Sequence, residues 1–313
     1  MSKKNKIVII GAGHVGSHCA LSLCWRGIFD EVVLVDKIKE KASAQAMDIA
    51  DSLSYPPSSV KVRSGEYEDC TDADIVVIAI GKARSPGQTR LDLLGDSVKM
   101  ANELIDTLKK IEIKGIIISI TNPADIVAEY IRKGLKKDRS KSFGTGTLLD
   151  TARLIRTLSE ELSVDRTSIT AFSMGEHGDS SMIPFSQIKI GGVPLEEFAK
   201  PDYERILTRT RMIGMDIING KGSTEFGIGQ SLAILAETII KDKKTIFPVS
   251  VELKGEYNQQ GFSCGVPCLI GKNGIEKVIE IKMTNEEKAQ FENSCEVIKK
   301  HLLLAEEISP LTI

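Results

Sequence analysis

Residues 6–10 read KIVII and pass straight into GAGHVG at 11–16, and this junction constrains the fold more than any other stretch. Four apolar, β-branched residues after Lys6 make a short strand. Apolarity that is continuous rather than alternating is expected of a parallel strand covered on both faces. In the glycine run, Gly11 permits a tight turn, Gly13 lets backbone approach a pyrophosphate, and Gly16 lets the next helix pack close to the strand. Free amides and the dipole at that helix start favour phosphate. The plainer alternative is a merely tight strand-to-helix turn. The same texture recurs in EVVLVD (31–36), VKVRSG (60–65), ADIVVIAI (73–80) and KGIIISI (114–120), with helical segments such as 14–26, 41–53 and 96–112 between them. Strands alternating with helices give βαβ units and a doubly wound parallel sheet, a Rossmann fold.

After about residue 145 the pattern changes. GTGTLLDTARLIRTLSEELSV (144–164) reads as a long helix after a glycine turn. SQIKIGGVPLEEF and EKVIEIKMTNEEK read as antiparallel strands, with GG and KNG as turns. Helices near 202–220, 227–242 and 285–308 complete an α+β half. The expected division is a Rossmann domain over 1–145 and an α+β catalytic domain over 146–313. The apolar stripes of helices 14–26 and 227–242 suit either subunit contacts or the core.

Composition excludes several classes. A net charge of −2 over 313 residues does not provide the basic surface that non-specific nucleic-acid binding needs. No apolar run reaches the roughly 20 residues of a membrane span. MSKKNKIVII lacks the long apolar region and cleavage site of a signal peptide, so a cytoplasmic protein is expected. Six cysteines are scattered, and the Cys264/Cys268 pair has no second Cys/His pair nearby to make a zinc site. His14 and His18 share a helix face without the glutamate of a zincin motif. No metal is expected, and reduced thiols are.

Asp36 ends the second strand 20 residues after Gly16. A carboxylate there accepts from a ribose 2′-hydroxyl and repels a 2′-phosphate, which favours NAD over NADP. In SMGEHGDS (173–180), His177 sits in a polar turn, and histidine is the residue suited to gaining and losing a proton near neutral pH. TLLDTARL places Asp150 and Arg153 three residues apart on one helix face. SITNPAD ends a strand with Asn122, where α/β sheets bind ligands. GKARSPGQTRLDL (81–93) carries Arg84 and Arg90 on either side of Pro86-Gly87, a loop built to meet anions.

Taken in order, GAGHVG, PGQTRLDL, TNPAD, GTGTLLDTAR, GEHGDS and KGSTEFGIG resemble the motifs of NAD-dependent L-lactate and L-malate dehydrogenases over nearly the whole chain. The resemblance implies reversible hydride transfer between NADH and a small 2-oxo acid, in a homodimer or homotetramer. It implies His177 as proton donor and acceptor, with Asp150 orienting it. Arg153 would grip the substrate carboxylate as a two-pronged fork, and Arg90 would polarise the reacting carbonyl when its loop closes. Asn122 would touch cofactor and substrate, and Thr224 would line the pocket. The cofactor residues would be Gly11, Gly13, His14, Val15, Gly16, Asp36, Gly81 and Asn122.

Arg84 falls where this family sorts substrates, glutamine being typical of lactate enzymes and arginine of malate enzymes. An arginine there can pair with the second carboxylate of oxaloacetate. Glu176, Gly146-Thr147, Leu91 and Thr224 instead resemble the lactate-type subgroup. The reading is therefore a lactate-type L-2-hydroxyacid dehydrogenase converting pyruvate to L-lactate, with a malate dehydrogenase as the alternative. Outside enzymes, the alternative is a non-catalytic NAD-binding protein. Many bacterial lactate enzymes grip fructose 1,6-bisphosphate with an arginine and a histidine. Ile155 and Thr170 occupy those positions here, so that activation is expected to be absent.

Overall fold

Four buried apolar runs, the first KIVII, lie side by side at the centre of the computed structural model, which describes residues 4–55, 59–81 and 90–311. They are β1 (Lys6–Ile10), β2 (Glu31–Val35), β4 (Ile75–Ile78) and β5 (Ile116–Ser119), flanked by the more exposed β3 (Lys61–Ser64) and by β6 (Ser142–Gly144). All six are parallel, in the order β3-β2-β1-β4-β5-β6. Val8 lies opposite Val33 on one side and Val76 on the other. Ile7, Val8, Ile9, Val76 and Ile117 are wholly buried, as strands covered on both faces must be. The helices α1 (His14–Arg26), α2 (Lys39–Ser52), α3 (Arg90–Leu108) and α4 (Ala124–Gly134) provide that cover. The order reverses between β1 and β4, which opens a crevice at the C-terminal ends of the strands.

The second half of the chain extends this sheet. Ser250 of β10 (Thr245–Lys254) pairs antiparallel with Gly144, and β11 (Gln260–Gly271) and β12 (Gly274–Val278) follow outward. A second, three-stranded sheet of β7 (Ile169–Thr170), β8 (Lys189–Ile190) and β9 (Val193–Pro194) covers a smaller apolar cluster. Around these lie α5 (Leu148–Leu162), α6 (Leu195–Phe198), α7 (Tyr203–Lys221), α8 (Phe226–Ile240) and α9 (Asn285–Ile308). No helix among the described residues is long and apolar enough to cross a membrane.

Several elements depart from the sequence expectation. α5 begins at Leu148 rather than 144, because Ser142–Gly144 are taken by β6. α3 begins at Arg90 and runs through Gly95, whose bare backbone faces Ile308 at the end of α9. The run EKVIEIKMTNEEK leaves the sheet at Val278. Beyond it the Tyr257 hydroxyl bonds the Ile279 carbonyl, and Thr284 and Glu287 form the capping box of α9. The apolar stripes of α1 and α8 pack against each other: a Cβ on Gly229 would sit 2.7 Å from Ser22 Oγ, and Arg26 pairs with Glu237 at 2.6 Å.

The turn into α5 is tight. Gly146 has φ +50°, and a Cβ there would lie 2.4 Å from the Ser250 nitrogen. Gly146→Ala is expected to cost about 2 kcal/mol or more from the left-handed backbone and the clash together. Thermal unfolding checks this, and an unchanged Tm would refute the account of this turn.

Candidate active site

The crevice begins at the glycine turn. Gly11 has φ +107°, and a Cβ there would fall 2.3 Å from the Ala79 carbonyl oxygen, so β1, β4 and the turn meet backbone to backbone. A Cβ on Gly16 would collide with the Gly11 oxygen at 1.8 Å. Among the described residues, a Cβ on Gly13 would find only Lys41 Nζ at 3.7 Å and one on Gly81 would meet nothing within 4 Å. No side chain caps the start of α1 and no acid lies in its first turn, so the amides around His14, Val15 and Gly16 can receive phosphate. Asp36 is fixed at the far side, accepting from the Ala12 amide at 2.8 Å and the Ile38 amide at 3.0 Å. These residues fit a dinucleotide: glycines where it must pass, amides for its phosphates and an anchored carboxylate for its ribose.

Facing this cradle, α5 supplies Asp150 and Arg153. Asp150 Oδ2 lies 2.5 Å from His177 Nδ1, and Asp150 Oδ1 accepts from Arg153 Nη1 at 3.0 Å. An ionised carboxylate only accepts, so Nδ1 carries a hydrogen and Nε2 is the nitrogen left for a substrate. The Asp150 charge raises the His177 pKa above the ordinary imidazole range, with burial opposing and Asp125 adding to the rise. Burial alone would raise the Asp150 carboxyl, yet the His177 charge, its hydrogen bond and Arg153 hold it below the usual carboxylate range. One prong of Arg153 is engaged by Asp150, and Gly214 of α7 leaves room for the other, a Cβ there standing 3.2 Å from Nη2.

The turn bearing His177 is held on three sides. Gly175 exchanges backbone hydrogen bonds with Gly265 of β11. Glu176 turns away from the crevice, its amide donating to Ser294 of α9 and its carboxylate accepting from the Ser180 hydroxyl at 2.5 Å. The His177 amide donates to Asp125 Oδ2 at 2.9 Å, and the Ser250 hydroxyl donates to Asp125 Oδ1 at 2.5 Å. Burial pushes the Asp125 carboxyl up to about 6, with Ser250 and the His177 amide opposing. An ionised Asp125 at neutral pH therefore costs about 3 kcal/mol relative to an unburied carboxylate.

Thus the structure brings together His177, Asp150 and Arg153, and sets Gly11, Gly13, His14, Val15, Gly16, Asp36 and Gly81 along one crevice. Asn122 stands at the end of β5, its carbonyl oxygen accepting from Ser97. Thr224 lies between α7 and α8, half-buried. Arg84 lies outside the described residues, as does the side chain of Arg90. Sequence reasoning missed Asp125, Ser250 and Gly214. The aspartate of TNPAD was in view, but nothing local indicates that it reaches a backbone amide 52 residues away. The described residues hold no cluster of three or more metal-binding side chains, and all six cysteines are free and buried.

Comparison with known proteins places this geometry. Residues 5–144 match the family described as lactate/malate dehydrogenase, NAD binding domain. Residues 147–308 match the lactate/malate dehydrogenase, alpha/beta C-terminal domain. The chain is 39% identical over 305 residues to L-lactate dehydrogenase 3 of Bacillus thuringiensis, covering 95% of this chain and 96% of that protein. Among solved structures, the minor L-lactate dehydrogenase of Enterococcus mundtii in its ligands-bound form superposes with a TM-score of 0.92 at 32% identity, covering 96% of this chain and 98% of that one. The apo malate dehydrogenase of Picrophilus torridus gives a TM-score of 0.92 at 29% identity, covering 98% of each chain.

Replacing Asp150 with Asn removes the charge that most favours the protonated ring. The His177 pKa should fall, so that the ring loses its proton at a lower pH, as followed by NMR titration of its carbon-bound protons. An unmoved midpoint would mean that Asp150 does not control this imidazole.

Proposed function

The chain belongs to the lactate/malate dehydrogenase family, and we propose that it acts as an NAD-dependent L-2-hydroxyacid dehydrogenase of the lactate type, interconverting pyruvate and L-lactate. The observation that carries this is the single buried carboxylate of Asp150, which holds both a proton-exchanging imidazole and a guanidinium beside the cofactor crevice. NAD, when bound, supplies the hydride chemistry of the reaction. His177 supplies a proton from Nε2 to the substrate oxygen in reduction and takes it back in oxidation. Arg153 offers its free guanidinium edge to the substrate carboxylate, a planar contact that lysine cannot reproduce. Arg90 is read as the group that polarises the carbonyl, and Asn122 and Thr224 as pocket residues.

Residues 1–145 are read as the cofactor half and 146–313 as the substrate half. Support for the lactate reading comes from the 39%-identical relative named L-lactate dehydrogenase and from Glu176, Leu91 and Thr224. The malate alternative has a specific residue in its favour, Arg84. A homodimer or homotetramer fits the exposed Met212, Met215 and Ile218 on α7, and a cytoplasmic setting fits six free thiols. Ile155 packs with the smaller apolar cluster and Thr170 is exposed on β7. Neither carries the charge that a bisphosphate would need.

The deciding experiment measures kcat/KM with NADH for pyruvate, oxaloacetate and larger 2-oxo acids, in the native protein and in Arg84→Gln. Efficient pyruvate reduction is expected, and its absence with every 2-oxo acid would overturn the reading. If Arg84 meets the second carboxylate, the variant should lose about 10- to 100-fold with oxaloacetate, the kinetic equivalent of one charge-assisted pair. It should improve with pyruvate, since no unpaired guanidinium is then enclosed. An oxaloacetate efficiency within about twofold of the native value, less than roughly 0.4 kcal/mol, would remove Arg84 from the pocket.

A further inference from the structure

The chemistry just described leaves one buried charge without a task. Asp125, in the first turn of α4, is 3% exposed. Its two oxygens serve two different parts of the chain, the His177 amide at 2.9 Å and the Ser250 hydroxyl at 2.5 Å. The groups that face it are Glu176 and His177 from the 173–180 turn, Ser250 from β10 and Cys264 from β11. Holding an amide and a hydroxyl needs only an acceptor, which a neutral side chain supplies at lower desolvation cost. A carboxylate in that place calls for another reason.

We propose that Asp125 is a positioning residue for proton transfer: it fixes the backbone from which the His177 ring projects, and its negative charge assists Asp150 in keeping that ring protonated. The proposal rests on the reading of His177 as proton donor. The ring is tied through Nδ1 to α5, while the main chain at its root is tied to α4. With the first tie alone, the ring could pivot on a turn flanked by Gly175 and Gly178. The two ties are themselves linked. Ser250, which holds Asp125, also has its nitrogen 2.4 Å from where a Cβ on Gly146 would stand, in the turn that starts α5. A shift of one helix is thus registered by the other through β10.

The test uses the full-length protein with Asp125→Asn, Asp125→Ala and, as reference, His177→Ala. It reads kcat and KM for pyruvate, NADH affinity by fluorescence, the pH profile of kcat, and Tm. Asp125→Ala should lower kcat by about 10- to 100-fold, the effect of misplacing a catalytic group by an ångström, while NADH affinity stays within about twofold. Asp125→Asn keeps an acceptor for the His177 amide without the charge. It should retain more of kcat, move the alkaline loss of reductase activity to lower pH, and show no fall in Tm at neutral pH. Should the alanine variant not fold, the asparagine variant carries the test through its pH profile. Native kcat and an unmoved profile in the asparagine variant would overturn the proposal, as would equal losses of kcat and NADH affinity in the alanine variant. Native kcat in His177→Ala would overturn the proton-donor reading itself. An inactive His177→Ala beside native-like Asp125 variants would overturn the positioning role alone.

Discussion

Asp150 has one carboxylate and two partners, and the rest of the site takes its geometry from that fact. A buried carboxylate is tolerated only when paired and hydrogen-bonded, and here His177 and Arg153 meet both needs at 2.5 and 3.0 Å. The pairing is mutual, because the carboxylate that the two cations stabilise also fixes the tautomer of one and the direction of the other. Removing either cation would strand a charge in a closed space, the most destabilising kind of change to a buried pair. The two contacts fix the His177 ring and one edge of the Arg153 guanidinium relative to α5, the kind of arrangement that a preorganised site uses.

That carboxylate can stand opposite the cofactor crevice because the sheet does not stop at the end of the Rossmann half. Ser250 pairs with Gly144, and the chain between β6 and α5 has three residues in which to turn. Gly146 makes this turn possible where a Cβ would strike β10. α5 therefore leaves the end of β6 with Asp150 and Arg153 on its first turns. Gly175 and Gly265 bring β11 against the His177 turn from the other side, where a Cβ on Gly265 would lie 2.7 Å from the Gly175 oxygen. Small residues at two junctions, rather than long loops, set the distance between acid and base.

The parallel core and the cofactor turn were legible in the sequence because both are local. KIVII and IVVI are buried on both faces and carry unbroken apolar runs, and the glycines of the turn are spaced by the backbone contacts they must permit. β6 was not legible, since Ser142–Gly144 offers one apolar side chain and no period. β10 contains Pro248, which argues against a paired strand, yet it pairs opposite Pro267. β11 is rich in small residues, and its pairing is set by its neighbours. His177, Asp150 and Arg153 could be named because their motifs match a known family. Asp125 and Ser250 could not be given a role, because their contacts join α4, β10 and the His177 turn across more than 50 and 120 residues of chain.

The two aspartates around His177 also divide the pH dependence of the fold. Asp150 is held below its ordinary range, so its pairing stabilises the protein above the usual carboxylate pKa and is lost as pH falls. His177 is raised, so its contribution is present below the ordinary imidazole pKa and is lost as pH climbs through the raised value. Asp125 is raised to about 6, so its contribution is present below the usual carboxylate pKa and lost as pH rises through about 6. Near neutral pH the fold thus keeps Asp125 charged against its own stability. Two carboxylates pushed in opposite directions around one titrating group is the pattern expected where environment assigns acid–base roles. On the proposed reading of His177 as proton donor, stability given up at the buried carboxylate beside it is physically intelligible as a requirement of proton transfer rather than of folding.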